Sequence, residues 1–118
     1  MAKGAYRKGA NAERELMAIA KNDGAEVYRG AGSHGAYDVR VTKYGLHFLV
    51  DIKCNAWAGP ADRARLAALT SSTDIPVMAR RNDDKHAGDR WEYRTINAEG
   101  EMGVITLNAP WLRDDVDK

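Results

Sequence analysis

Between Tyr37 and Asn55 the chain reads YDVRVTKYGLHFLVDIKCN. Alternating apolar and polar side chains flank a Tyr44-Gly45 turn, the pattern of two short strands joined as a hairpin. The spacing predicts strands over 36–42 and 46–54. In the second, Phe48, Val50, Ile52 and Cys54 share one face, and His47, Leu49, Asp51 and Lys53 share the other. In the first, Tyr37, Val39 and Val41 alternate with Asp38, Arg40 and Thr42. Two carboxylates and a lysine therefore fall where a half-buried hairpin would rather place apolar side chains.

The neighbouring segments supply the rest of a sheet. NAERELMAIAKN (11–22) is expected to form a helix capped by Asn11, with Gly24 just past its end. Ala12, Leu16, Ile19 and Ala20 cluster on one face of it, with Met17 at the border. AEVYR (25–29) reads as a strand and GAGSHG (30–35) as a glycine-rich loop. PADRARLAALT (60–70) reads as a second helix with Pro60 at its start. IPVMARR (75–81) and RWEYRTI (90–96) are two more strands, and GVITL (103–107) is a candidate for another. The order predicts an α/β fold, a mixed central sheet flanked by helices. At 118 residues the expectation is a single domain over 1–118.

Charge is uneven along the chain. Residues 1–81 hold 13 Lys or Arg and 8 Asp or Glu, a balance of +5, and residues 82–118 hold 5 and 9, a balance of −4. The excess is densest in segment 1–10, read as a basic arm suited to a polyanion. Residues 108–118 read as a loose acidic tail. Cys54, the one cysteine, cannot form an internal disulfide, which favours a reducing compartment. No run approaches the roughly 18 apolar residues of a membrane span. A cytoplasmic protein with no membrane partner is expected.

The charged set points to chemistry. Asp51 and Lys53 point the same way from one strand, and Asp38 can join them across the hairpin. Glu13 lies inside the apolar arc of the first helix, whereas Glu15 lies nearer its outer edge. Carboxylates gathered on a sheet face repel one another, and a divalent cation removes that cost. Oxygen-only donors suit a hard ion, Mg2+ or Mn2+. A lysine beside them can orient or deprotonate a water, or stabilise charge on a phosphoryl oxygen. The bland alternative is a salt-bridged hairpin, with Lys53 paired to Asp51 or Asp38.

An acid at the start of a hairpin followed by Asp-x-Lys on the next strand resembles the PD-(D/E)XK nuclease superfamily. RKGANAEREL (7–16), VYRGAGSHGAYD (27–38), LVDIK (49–53) and DIPVMAR (74–80) resemble the archaeal-type Holliday junction resolvases. That resemblance spans about residues 7–96 and implies a restriction-endonuclease-like core. It implies Glu13, Asp38 and Asp51 as metal-binding acids, the Ile52 carbonyl as a further oxygen, and Lys53 as the catalytic lysine. It implies a catalytic role for Ser33 near the cut phosphate, and phosphate contacts for Arg14 and Arg29, which Lys3, Arg7 and Lys8 of the basic arm would extend. The implied activity is Mg2+-dependent hydrolysis of a four-way DNA junction by a homodimer. A nuclease of the same superfamily with another substrate, in repair or DNA degradation, is the alternative, as is a DNA-binding module without catalysis. The sequence departs from the family at Asp51, where a glutamate is usual, in the added His34, and in the weakly basic CNAWAG.

Other residues stay open. His47 suits a hydrogen bond at a strand start, and Cys54 suits the core. Trp57 could stack on DNA or pack between subunits, and Trp91, Tyr93 and Trp111 are further material for an interface or, as most such aromatics are, simply core. Arg80 and Arg81 end a strand, free in solvent or on a phosphate.

Overall fold

The computed structural model describes residues 2–30, 37–85, 90–103 and 106–107. Helix α1 (Ala2–Asn22) leads into strand β1 (Glu26–Arg29). Strands β2 (Val39–Lys43) and β3 (Leu46–Cys54) follow, then helix α2 (Pro60–Ala67). Strands β4 (Asp74–Arg81), β5 (Trp91–Thr95) and β6 (Thr106–Leu107) complete the chain's regular structure among the described residues. The six strands form one sheet in sequential order. All neighbours are antiparallel except β3 and β4, which run parallel because α2 carries the chain back between them. The expected α/β fold, a mixed sheet flanked by helices, is the observed one, with a restriction-endonuclease-like core.

Each sheet face has its own helix. Ala12, Leu16 and Ala20 of α1 are buried against Val39, Val41, Phe48, Val50, Val77 and Ala79. On the opposite face Leu66 and Ala67 of α2 pack with Ala58, Met78 and Ile96, joined by Tyr37 and Trp57. Alternation explains the division, since Val77 and Ala79 point one way from β4 and Met78 the other. Burying one such leucine is worth about 2 kcal/mol, so each helix is held mainly by this apolar stripe.

The β2–β3 turn is as expected. Tyr44 and Gly45 both take positive φ, 58° and 75°, the requirement of the hairpin turn whose twist matches that of its strands. Gly30 is needed for a different reason: a Cβ there would stand 2.4 Å from the Tyr37 carbonyl oxygen. Its N–H donates to the Asp38 carbonyl at 2.8 Å, which ties the end of β1 to the residue before β2.

Two expectations need correction, and one open choice is decided. The first helix starts at Ala2, not at Asn11, so the backbone of the basic arm is the first half of α1. Asn11 sits exposed in mid-helix, accepting a hydrogen bond from Arg14 at 3.2 Å. Ala, Lys and Arg before it favour helix, and nothing there breaks one as proline would. Of the two places open to Trp91 and Tyr93, interface or core, the structure gives the core, each being 2% exposed. Arg80 and Arg81 are engaged within the chain, Arg80 with Glu92 and Arg81 with Glu15 and Asp83. Ser33, His34, His86, Trp111 and the 108–118 tail lie outside the described residues, as do the side chains of Lys3, Arg7 and Lys8. Among the described residues no helix is long and apolar enough to cross a membrane.

Candidate active site

The hairpin register builds the acid pair. Val39 lies opposite Val50, which brings Asp38, one residue earlier, beside Asp51 on the face shared with α2. The Asp38 N–H donates to the Val50 carbonyl at 2.8 Å. Its carboxylate Oδ2 accepts the Ile52 N–H, also at 2.8 Å, which fixes the side chain against β3. Asp51 is buried, 7% exposed. Its pKa is pushed up to about 7, by burial first and then by the charge and hydrogen bond of Asp38, with Lys53 acting against the rise. Two carboxylates this close cannot both ionise cheaply, and one keeps a proton toward neutrality.

Lys53 emerges on the same face. Its Nζ stands 3.7 Å from Asp51 Oδ1 and 3.2 Å from Asp62 Oδ2. Burial pushes the ammonium pKa down, but the charge of Asp51 and the hydrogen bond and charge of Asp62 outweigh it and hold it above its ordinary value. Asp62 was not singled out from the sequence. It lies in the first turn of α2, where an acid is favoured by the helix dipole, and it also pairs with Arg65. The hydrogen bond from Lys53 is the main cause of its lowered pKa. The salt bridge foreseen for Lys53 with Asp51 therefore forms, with a second partner contributed by the helix.

Glu13 approaches from α1, half-buried. Burial and then the Asp38 charge raise its pKa, and Arg29, 3.9 Å away, opposes them. Arg29 is itself largely exposed at the end of β1. Arg14 is exposed and donates to Asn11. Among the described residues no group of three or more His, Cys, Asp and Glu side chains is arranged to hold a metal ion. The donors present are nonetheless of the right kind. Asp38 and Asp51 offer carboxylate oxygens in an arrangement whose own repulsion a divalent cation would relieve.

Glu15, placed at the outer edge of the helix by periodicity, is the more engaged glutamate. It accepts from Arg81 Nη1 at 3.3 Å, Arg90 Nε at 2.9 Å and Trp91 Nε1 at 2.7 Å. Burial alone would raise its pKa, but these donors bring it below the ordinary value. Its role is to tie α1 to β4 and β5, which helical periodicity cannot reveal because the partners lie far along the chain. Trp57 is also accounted for: the Arg80 guanidinium lies 4.6 Å and that of Arg94 5.8 Å from its ring centroid. His47 makes the hydrogen bond expected of it, Nδ1 to Thr42 Oγ1 at 2.9 Å.

The acid-bearing hairpin is also where the chain meets a known family. Residues 4–58 match the family model of the archaeal Holliday junction resolvases (Hjc). The resemblance read from the motifs is thus found by an independent comparison. The Hjc match runs from α1 past the end of β3 and includes Glu13, Asp38, Asp51 and Lys53. It ends at Ala58, so α2 and Asp62 lie beyond it. No curated protein matches the chain.

Proposed function

We propose that this chain is a divalent-metal-dependent DNA endonuclease that resolves four-way junctions by paired phosphodiester hydrolysis, as a two-fold dimer. The observation that carries the reading is the buried Asp51 beside Asp38, with Lys53 Nζ 3.7 Å away. Asp38 and Asp51 would hold Mg2+ or Mn2+, with the Ile52 carbonyl and Glu13 as further oxygen donors. When bound, such an ion supplies charge stabilisation at phosphorus and an acidified water. Asp38 is braced by the Ile52 N–H and keeps its carboxylate turned to Asp51. Lys53, steadied by Asp62, presents a cation at the rim of the acid pair, where it can orient the attacking water or meet a phosphate oxygen. Arg29 and Arg14, with Lys3, Arg7 and Lys8 of α1, would carry the DNA backbone, and Ser33 would contact the cut phosphate. A junction has two like strands to cut and each site cuts one, so an isologous pair matches the symmetry of the substrate.

The test is a gel assay of a four-way junction beside a matched linear duplex, with and without magnesium. The junction should be cut preferentially and only with metal. Asp38→Asn and Asp51→Asn should abolish cleavage and leave DNA binding largely intact. Equal cutting of the linear duplex would point to a general nuclease, and undiminished cutting by either variant would remove that residue from the site.

A further inference from the structure

Next to the acids, on the same sheet face, stands a pair of side chains that the family resemblance leaves without a role. Tyr28 of β1 lies opposite Arg40 of β2, and Arg40 opposite Leu49 of β3. Arg40 follows Asp38 by two positions, so both point to one face, about 7 Å apart along the strand. The Arg40 guanidinium lies over the Tyr28 ring, 4.8 Å from its centroid. Its Nε is buried and, among the described residues, has no hydrogen-bond partner. Tyr28 is 45% exposed, and its hydroxyl donates to Glu26 at 3.0 Å, which steadies the ring. Helix α1 packs on β1, β2 and β3 from the other side, and α2 lies over β4.

A guanidinium whose charge no described carboxylate pairs and whose Nε goes without an acceptor among the described residues is stabilised by an anion meeting its accessible edge. An aromatic ring with a cation on one face and solvent beside it suits an unpaired base. Together these are the parts of a single-strand contact, phosphate on the cation and base on the ring. We propose that Tyr28 and Arg40 form a subsite for the DNA strand flanking the cut phosphodiester. Arg40 takes the neighbouring phosphate, and Tyr28 stacks a base left unpaired at the branch. The subsite rests on the nuclease reading above, since its place beside Asp38 and Asp51 gives it meaning.

Binding to a fluorescein-labelled four-way junction, measured in EDTA across a salt series, tests it. Arg40→Ala should weaken binding several-fold and lower the slope of log affinity against log salt by about one. Tyr28→Ala should weaken binding by a similar factor with the slope unchanged, because stacking releases no counterion. Arg40→Lys keeps the charge, so it should keep the slope and lose only part of the affinity, and it serves in place of Arg40→Ala should that variant not fold. Wild-type affinity and slope in folded Tyr28→Ala and Arg40 variants would overturn the subsite. Cleavage by the wild type in magnesium separates the two readings. Normal cutting with unaffected variants overturns the subsite alone, and binding that needs Tyr28 and Arg40 without any cutting overturns the nuclease reading alone.

Discussion

Burial and the neighbouring Asp38 carboxylate keep Asp51 protonated up to about pH 7 in the folded chain, whereas in an unfolded chain an aspartate ionises near pH 4. Below about pH 4 both states hold the proton and stability is unaffected. Between about pH 4 and 7 only the unfolded state releases it, so stability falls as pH rises, by about 2–4 kcal/mol in all. Metal-free protein should therefore melt at a lower temperature at pH 8 than at pH 5. Asp51→Asn should flatten that dependence and be the more stable protein at pH 8, and a steeper decline in the variant would show that other groups dominate. Lys53→Ala, at a side chain 39% exposed, should leave the fold intact and slow cleavage on the order of 10²-fold. Unfolding of this variant, seen by circular dichroism, would instead make the lysine a structural ion-pair partner. Asp51 and Lys53 were legible in the sequence because alternation along one strand assigns a face without further information. Asp62 was not, because its tie to Lys53 depends on where α2 docks.

Among the elements, α1 shows both what periodicity can read and where it stops. Its apolar stripe predicted Ala12, Leu16 and Ala20 correctly as core, because a helix carries its own geometry. Its start was misplaced, since a good capping residue in a helix-forming stretch can simply face solvent. Glu15 illustrates the same limit: its worth lies in Arg81, Arg90 and Trp91, brought to it only by the finished sheet. Glu15→Ala strands those donors and removes one of the two acids paired with Arg81, whose side chain is 8% exposed, while the pair with Asp83 stays. That change should cost about 2–4 kcal/mol in urea denaturation, with junction cleavage per folded molecule unchanged. A loss of turnover at full folding would extend the active site to this network.

For the molecule as a whole, the dimer is the prediction that bears most on function. Light scattering should return twice the 13.0 kDa chain mass, and a cruciform plasmid should become linear through paired nicks. A monomer that produces only nicked circles would exclude coupled resolution. With Trp91 and Tyr93 buried and Trp57 packed against the Arg80 and Arg94 guanidinium groups, these aromatics offer little to such an interface. The sequence could count them but not say which faces they occupy.

Strand β3 lies in the interior of the sheet, bonded to β2 on one side and to β4 on the other, and it bears both Asp51 and Lys53. Amides at such a position exchange with solvent only when much of the protein opens. Frayed ends and surface loops can fluctuate without disturbing the acid pair. Heat inactivation of the proposed nuclease is accordingly expected to coincide with global unfolding, so that a gain in overall stability should lengthen the working life of the site by the same measure.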